Sequence, residues 1–74
     1  MNSPEMDNNV IEKIASICAG EDDAVTLMAV ITAELYQSVE GVDWVGFYRV
    51  VMPGMLKLGP YQGGHSCLLI PFDK

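Results

Sequence analysis

The sequence predicts an α+β domain in which two helices precede three antiparallel strands. Three observations carry that prediction. Apolar side chains in the first half recur every three or four residues, the spacing of a helix face. After Gly41 the period drops to two, and β-branched and aromatic residues take over. The two kinds of segment come in blocks, helices first and strands second, which favours an antiparallel sheet.

Each element has its own signals. Ser3 and Pro4 form a helix start: a serine oxygen caps free backbone N–H groups, and proline suits the first turn. Met6, Val10, Ile14, Ile17 and Cys18 then make one stripe, with Ile11 beside it, and Gly20 ends the helix. Glu21, Asp22 and Asp23 suit the positive end of a second helix dipole. That helix runs to about Val39. Val25, Met28, Ile31, Leu35 and Val39 share one face, and Leu27, Val30 and Tyr36 widen it. A helix so apolar is covered on more than one side, by a sheet plus another helix or by a second subunit. Gly41 closes it.

Residues 42 to 51 alternate as a strand, with Val42, Trp44, Gly46, Tyr48 and Val50 on one side. Met52-Pro53-Gly54-Met55 places proline and glycine where a type II turn prefers them. A second strand starts at Met55 and reaches Leu58, where Gly59-Pro60 and then Gly63-Gly64 break it. A third runs from Ser66 to Phe72, with Cys67 and Leu69 on one face and Leu68, Ile70 and Phe72 on the other. The sequence stops soon after this apolar strand. The sheet is therefore expected to be incomplete, or completed by self-association, because an uncovered apolar edge invites another chain.

Length and charge narrow the function. The 74 residues allow one domain at most, and at this size only about 60% of the unfolded surface is buried. Half the residues are hydrophobic and 19% are charged, a composition that excludes disorder. The net charge of −6 repels phosphate backbones and anionic headgroups, so neither nucleic acid nor a membrane surface is an expected partner. The acidic, polar N-terminus does not read as a signal peptide. The longest apolar stretch, residues 24 to 33, is too short to span a bilayer. Two cysteines, at positions 18 and 67, make neither a disulfide framework nor a four-ligand zinc site. The expectation is a reduced, cytoplasmic protein with no metal and no bound cofactor.

Few residues could carry chemistry. Trp44 and Tyr48 share a strand face about 13 Å apart, with Gly46 between them. The glycine leaves a gap that a small ligand could fill; equally, both aromatics could be core and Gly46 could make room for a helix. His65 stands two positions before Cys67, on the same face of the predicted strand, where an imidazole lowers a thiol's pKa. The other reading of Cys67 is a buried, inert thiol, and local sequence does not choose. Cys18 reads as core. Residues 59 to 64 are glycine-rich but match no phosphate loop, and read as a bulge or corner. No Ser-His-Asp set and no carboxylate pair can be argued.

Three blocks together are more specific: Trp44-Val45-Gly46-Phe47-Tyr48, then Leu58-Gly59-Pro60-Tyr61-Gln62-Gly63, then Cys67 with Ile70-Pro71-Phe72. In order and spacing they resemble the first half of the free methionine-(R)-sulfoxide reductases, cytosolic enzymes built on a GAF domain. The two preceding helices fit as well, so the resemblance covers nearly the whole chain. It implies a partial GAF-like domain, residues 1–74, from an antiparallel sheet of about six strands with helices on one face and a ligand pocket on the other. It implies free methionine sulfoxide as substrate, thioredoxin as external reductant and a homodimer.

By the same resemblance Cys67 matches a resolving cysteine, and Trp44 and Tyr48 match aromatics that line the substrate pocket. The family's attacking cysteine and the carboxylates that hold the substrate match nothing in these residues, and Cys18 matches no family cysteine. The 74 residues alone are thus expected to be catalytically silent. A non-catalytic module that binds a small molecule or self-associates is the alternative.

Overall fold

A computed structural model describes residues 8–72. The elements are α1 (Asn8–Ile17), α2 (Ala24–Ser38), β1 (Trp44–Met52), β2 (Met55–Gly63) and β3 (Leu69–Pro71). The strands form one sheet in the order β1-β2-β3, and both pairings are antiparallel. The expected element order and fold class are met. The expected helix start at Ser3, Pro4 and Met6 lies outside the described residues.

Helix α1 is only half covered. Val10, Ile14 and Cys18, spaced four apart, are half-buried, whereas Ile11 and Ile17 are exposed. Cys18 therefore sits at a partly covered helix end and not in a core. An ion pair between Lys13 Nζ and Glu34 Oε1, 3.1 Å apart, joins α1 to α2.

Helix α2 begins where the acidic run predicts. Asp23 is the N-cap: its Oδ2 accepts from the Thr26 backbone N–H at 2.9 Å and from the Thr26 hydroxyl at 2.8 Å. The backbone bond first, and the hydroxyl second, hold the Asp23 carboxyl below its ordinary range. Glu21 reaches over and accepts from the Asp23 N–H. The helix then packs against α1 and against β1 and β2, the two-sided cover its apolarity requires.

Its covered face keeps most of the expected one, with Met28, Ile31 and Leu35 half-buried, but it loses Val25 and gains Thr32. Val25 is exposed, and the buried residues are Thr32 at 1% and Val39 at 7% exposure. Thr32 tolerates this because its hydroxyl donates to the Ala29 carbonyl at 3.0 Å, so no polar group is left unmade.

The β1–β2 hairpin turns at Pro53-Gly54, and Gly54 takes φ +74°, as the third position of a type II turn requires. The ladder then shifts twice. Near the turn Val51 has no single partner; farther along, Phe47 faces both Gly59 and Pro60. Between the shifts Tyr48 pairs with Leu58 and Val50 with Leu56; beyond them Gly46 pairs with Tyr61 and Trp44 with Gly63. The second strand is thus longer than expected: Gly59-Pro60 bends it without ending it.

The third strand is shorter than expected, and Pro60 gives the reason. Strands β2 and β3 pair Met55 with Pro71, Leu56 with Ile70 and Lys57 with Leu69, and the Leu58 N–H donates to the Leu68 carbonyl at 2.9 Å. The next bond of that kind would run from the N–H of residue 60 to Ser66. Proline has no N–H to give. The ladder stops, and residues 64–68 leave the sheet as irregular chain.

Candidate functional site

Alternation places Trp44, Gly46, Tyr48 and Val50 on one face of β1, and the register adds Leu56, Leu58, Tyr61 and Ile70. At the end of the hairpin away from the turn, this face is aromatic. The Trp44 indole stacks on Tyr48 with ring centroids 6.3 Å apart and planes at 24°, and on Tyr61 at 6.0 Å and 21°. Such offset stacks contribute roughly 0.5–1.5 kcal/mol each beyond the area they bury.

Two glycines make the seat for the indole. A Cβ at Gly46 would stand 2.6 Å from Trp44 Cη2 and 2.6 Å from Tyr61 Cβ. A Cβ at Gly63 would stand 2.9 Å from Trp44 Cδ1, and Gly63 also takes φ +126°. The expected open gap between Trp44 and Tyr48 is therefore filled. The space above Gly46 holds the Trp44 ring itself, which leans along the strand so that the ring centroids lie 6.3 Å apart, closer than the strand spacing of the two positions. The Trp44 Nε1 is shut off from water with no acceptor among the described residues.

The Tyr48 hydroxyl reaches outside the sheet and donates to the Cys67 carbonyl at 2.9 Å. Cys67 itself is exposed and its thiol is free, so the reading of a buried thiol does not hold. The expected sharing of a strand face by His65 and Cys67 also fails: both are exposed in irregular chain, where strand alternation does not apply. The structure thus brings Trp44, Tyr48 and the Cys67 segment together. Tyr61 is the member that strand-by-strand reading missed; its position opposite Gly46 emerges only once the register is known.

Among the described residues no group of three His, Cys, Asp or Glu side chains could hold a metal ion. No helix among them is long and apolar enough to cross a membrane.

No protein-family model matches the chain. Individual proteins do. It is 32% identical over 74 residues to the free methionine-R-sulfoxide reductase of Escherichia coli, covering all of this chain and 44% of the relative. It is 33% identical over 66 residues to GAF domain-containing protein A of Dictyostelium discoideum, covering 89% of this chain and 41% of that protein. The solved structure of reduced fRMsr of Staphylococcus aureus superposes with a TM-score of 0.81 at 29% identity, over all of this chain and 49% of the other. The same protein in complex with substrate gives 0.79 at 26% identity, over 95% of this chain and 46% of the other. The chain thus spans about two fifths of the length of these curated relatives.

Proposed function

We propose that this chain, similar in sequence and in fold to the front portion of the GAF-domain free methionine-(R)-sulfoxide reductases, supplies the aromatic substrate wall and the resolving thiol of such an enzyme. The observation that carries the reading is the tie between a three-ring aromatic stack and an exposed cysteine: Trp44, Tyr48 and Tyr61 stack, and Tyr48 holds the Cys67 carbonyl.

An aromatic face suits the substrate's chemistry. Ring faces are negative, and the methyl and sulfur of a sulfoxide carry partial positive charge, so the rings attract the reacting end while excluding water. A thiolate then attacks the sulfoxide sulfur. Methionine leaves with its electron pair restored, and the oxygen stays on the enzyme as a sulfenic acid. The Cys67 thiol condenses with that sulfenic acid, forming a disulfide and releasing water. Two further thiols, those of reduced thioredoxin, exchange with the disulfide and return both cysteines to the thiol state.

The attacking thiol is neither Cys67 nor Cys18, which lies at the far end of α1. These 74 residues therefore bind the substrate without turning it over. A cytoplasmic, dimeric setting belongs to the same proposal.

Calorimetric titration with free methionine-(R)-sulfoxide tests it. Heat that is lost in Trp44→Ala is expected, together with no steady methionine release in the presence of a thioredoxin system. A flat trace from the unaltered chain would sink the binding claim, and sustained turnover would sink the assignment of Cys67 as resolving thiol.

A further inference from the structure

We infer that Tyr48 is a positioning residue for the Cys67 thiol, acting through the hydrogen bond from its hydroxyl to the Cys67 carbonyl. The inference rests on the proposed reductase reading for its purpose alone; the tether is tested without substrate.

Three features converge on this segment. Pro60 denies the sheet its next bond, so residues 64–68 are released from the ladder. The released chain is then held at adjacent carbonyls, Cys67 by the Tyr48 hydroxyl and Leu68 by the Leu58 N–H, each at 2.9 Å. Meanwhile the Cys67 side chain stays exposed and free. The backbone under the thiol is fixed while the sulfur faces solvent.

The donor is itself held. The Tyr48 ring stacks on Trp44, which stacks on Tyr61 and is seated on Gly46 and Gly63. A ring so packed presents its hydroxyl in one direction at little entropic cost. A resolving thiol gains most from this, because it must meet a sulfenic acid in one geometry, and a pre-set approach removes orientational entropy from the barrier. The same ring is part of the stack proposed to meet the substrate, so occupation of the stack and the position of Cys67 are linked through one side chain.

The experiment uses the chain with Cys18→Ser, so that Cys67 is the remaining thiol. Tyr48→Phe keeps the ring and deletes the hydroxyl. Hydrogen exchange at the Leu58 amide is expected to rise roughly fivefold, the factor that one net hydrogen bond of about 1 kcal/mol supplies. Alkylation of Cys67 with a neutral maleimide is expected to change the emission of Trp44, the single tryptophan, and to change it less than half as much in Tyr48→Phe.

Unchanged exchange at Leu58 overturns the inference, as does an emission response equal in the two proteins. Should Tyr48→Phe fail to fold, 3-fluorotyrosine placed at position 48 alone strengthens the donor and must slow the Leu58 amide; an unaltered rate overturns the inference equally. Tether readouts as expected with a flat sulfoxide titration would remove the reductase reading and leave the tether. Binding heat with unaltered tether readouts would do the reverse.

Discussion

The two ends of the β1–β2 hairpin are built on different terms. At the end away from the turn, three aromatic rings keep company: Trp44 lies between Tyr48 and Tyr61, glycines clear its seat, and Tyr48 bonds the neighbouring loop. At the turn end, Val50 is 66% exposed, and Val51, Met52, Leu69 and Phe72 are also open to solvent. Both ends are apolar in sequence, so hydropathy does not distinguish them. Partnership does. The aromatic rings are packed against one another and tied to the neighbouring chain, whereas the turn end offers an apolar face and a short edge strand that the described residues leave uncovered. A chain of this size in which, among the described residues, Thr32 and Val39 are the buried ones has little stability to spare. Its aromatic end should therefore dominate the energetics.

The largest expected effect tests that dominance. Trp44→Ala removes the central ring and should cost about 3 kcal/mol, the low end for deleting a packed tryptophan, read by urea unfolding followed by circular dichroism. A cost below that of a turn-end truncation such as Val50→Ala would reverse the comparison. Gly46→Ala comes next. Its new methyl meets Trp44 and Tyr61 at 2.6 Å, and overpacking of this kind costs about 1–3 kcal/mol. Unchanged stability would show that the indole can leave its seat freely.

A smaller effect lies in α2, outside both ends. The folded-state pKa of Asp23 is lowered, so its cap contributes above the unfolded pKa and is lost as pH falls through the folded one. Helicity should decline in that acidic window for the unaltered chain and less for Asp23→Asn, which caps without a charge. Equal declines would remove the cap from the account. The smallest effect on folding is expected at the turn end. Leu69→Lys should change stability by no more than about 0.5 kcal/mol, yet it should lower any association seen by light scattering, since a charge blunts an edge strand. A mass unaffected by the substitution would mean that this edge does not drive self-association.

Much of the fold could be read from local signals. The acidic run before α2, the Pro53-Gly54 turn and the switch of period at Gly41 each specify structure through nearby residues, and each holds. What eluded local reading depends on register. The stack needs Tyr61 opposite Gly46, and that pairing exists only because two ladder shifts intervene. The release of Cys67 from β3 needs Pro60 opposite Ser66, again a relation between strands. A threonine scores as polar, so hydropathy does not mark Thr32 as the most buried position of α2, although its hydroxyl is answered within its own helix turn. The roles of Trp44, Tyr48 and Cys67 are what the family resemblance implies, and the described geometry brings those residues together without assigning the roles.

The two shifts in the hairpin have one more consequence. They are equal and opposite, one extra residue on each strand, so an unkinked hairpin grown from the same turn would also set Gly46 against Tyr61 and Trp44 against Gly63. Only the stretch from Tyr48 to Val50 is out of phase. In that unshifted register Lys57 would replace Leu56 as the neighbour of Val50, and the leucines would turn to the opposite side. A one-residue slide there would recolour the surface beside Tyr48 from oily to charged while the tryptophan stayed where it is.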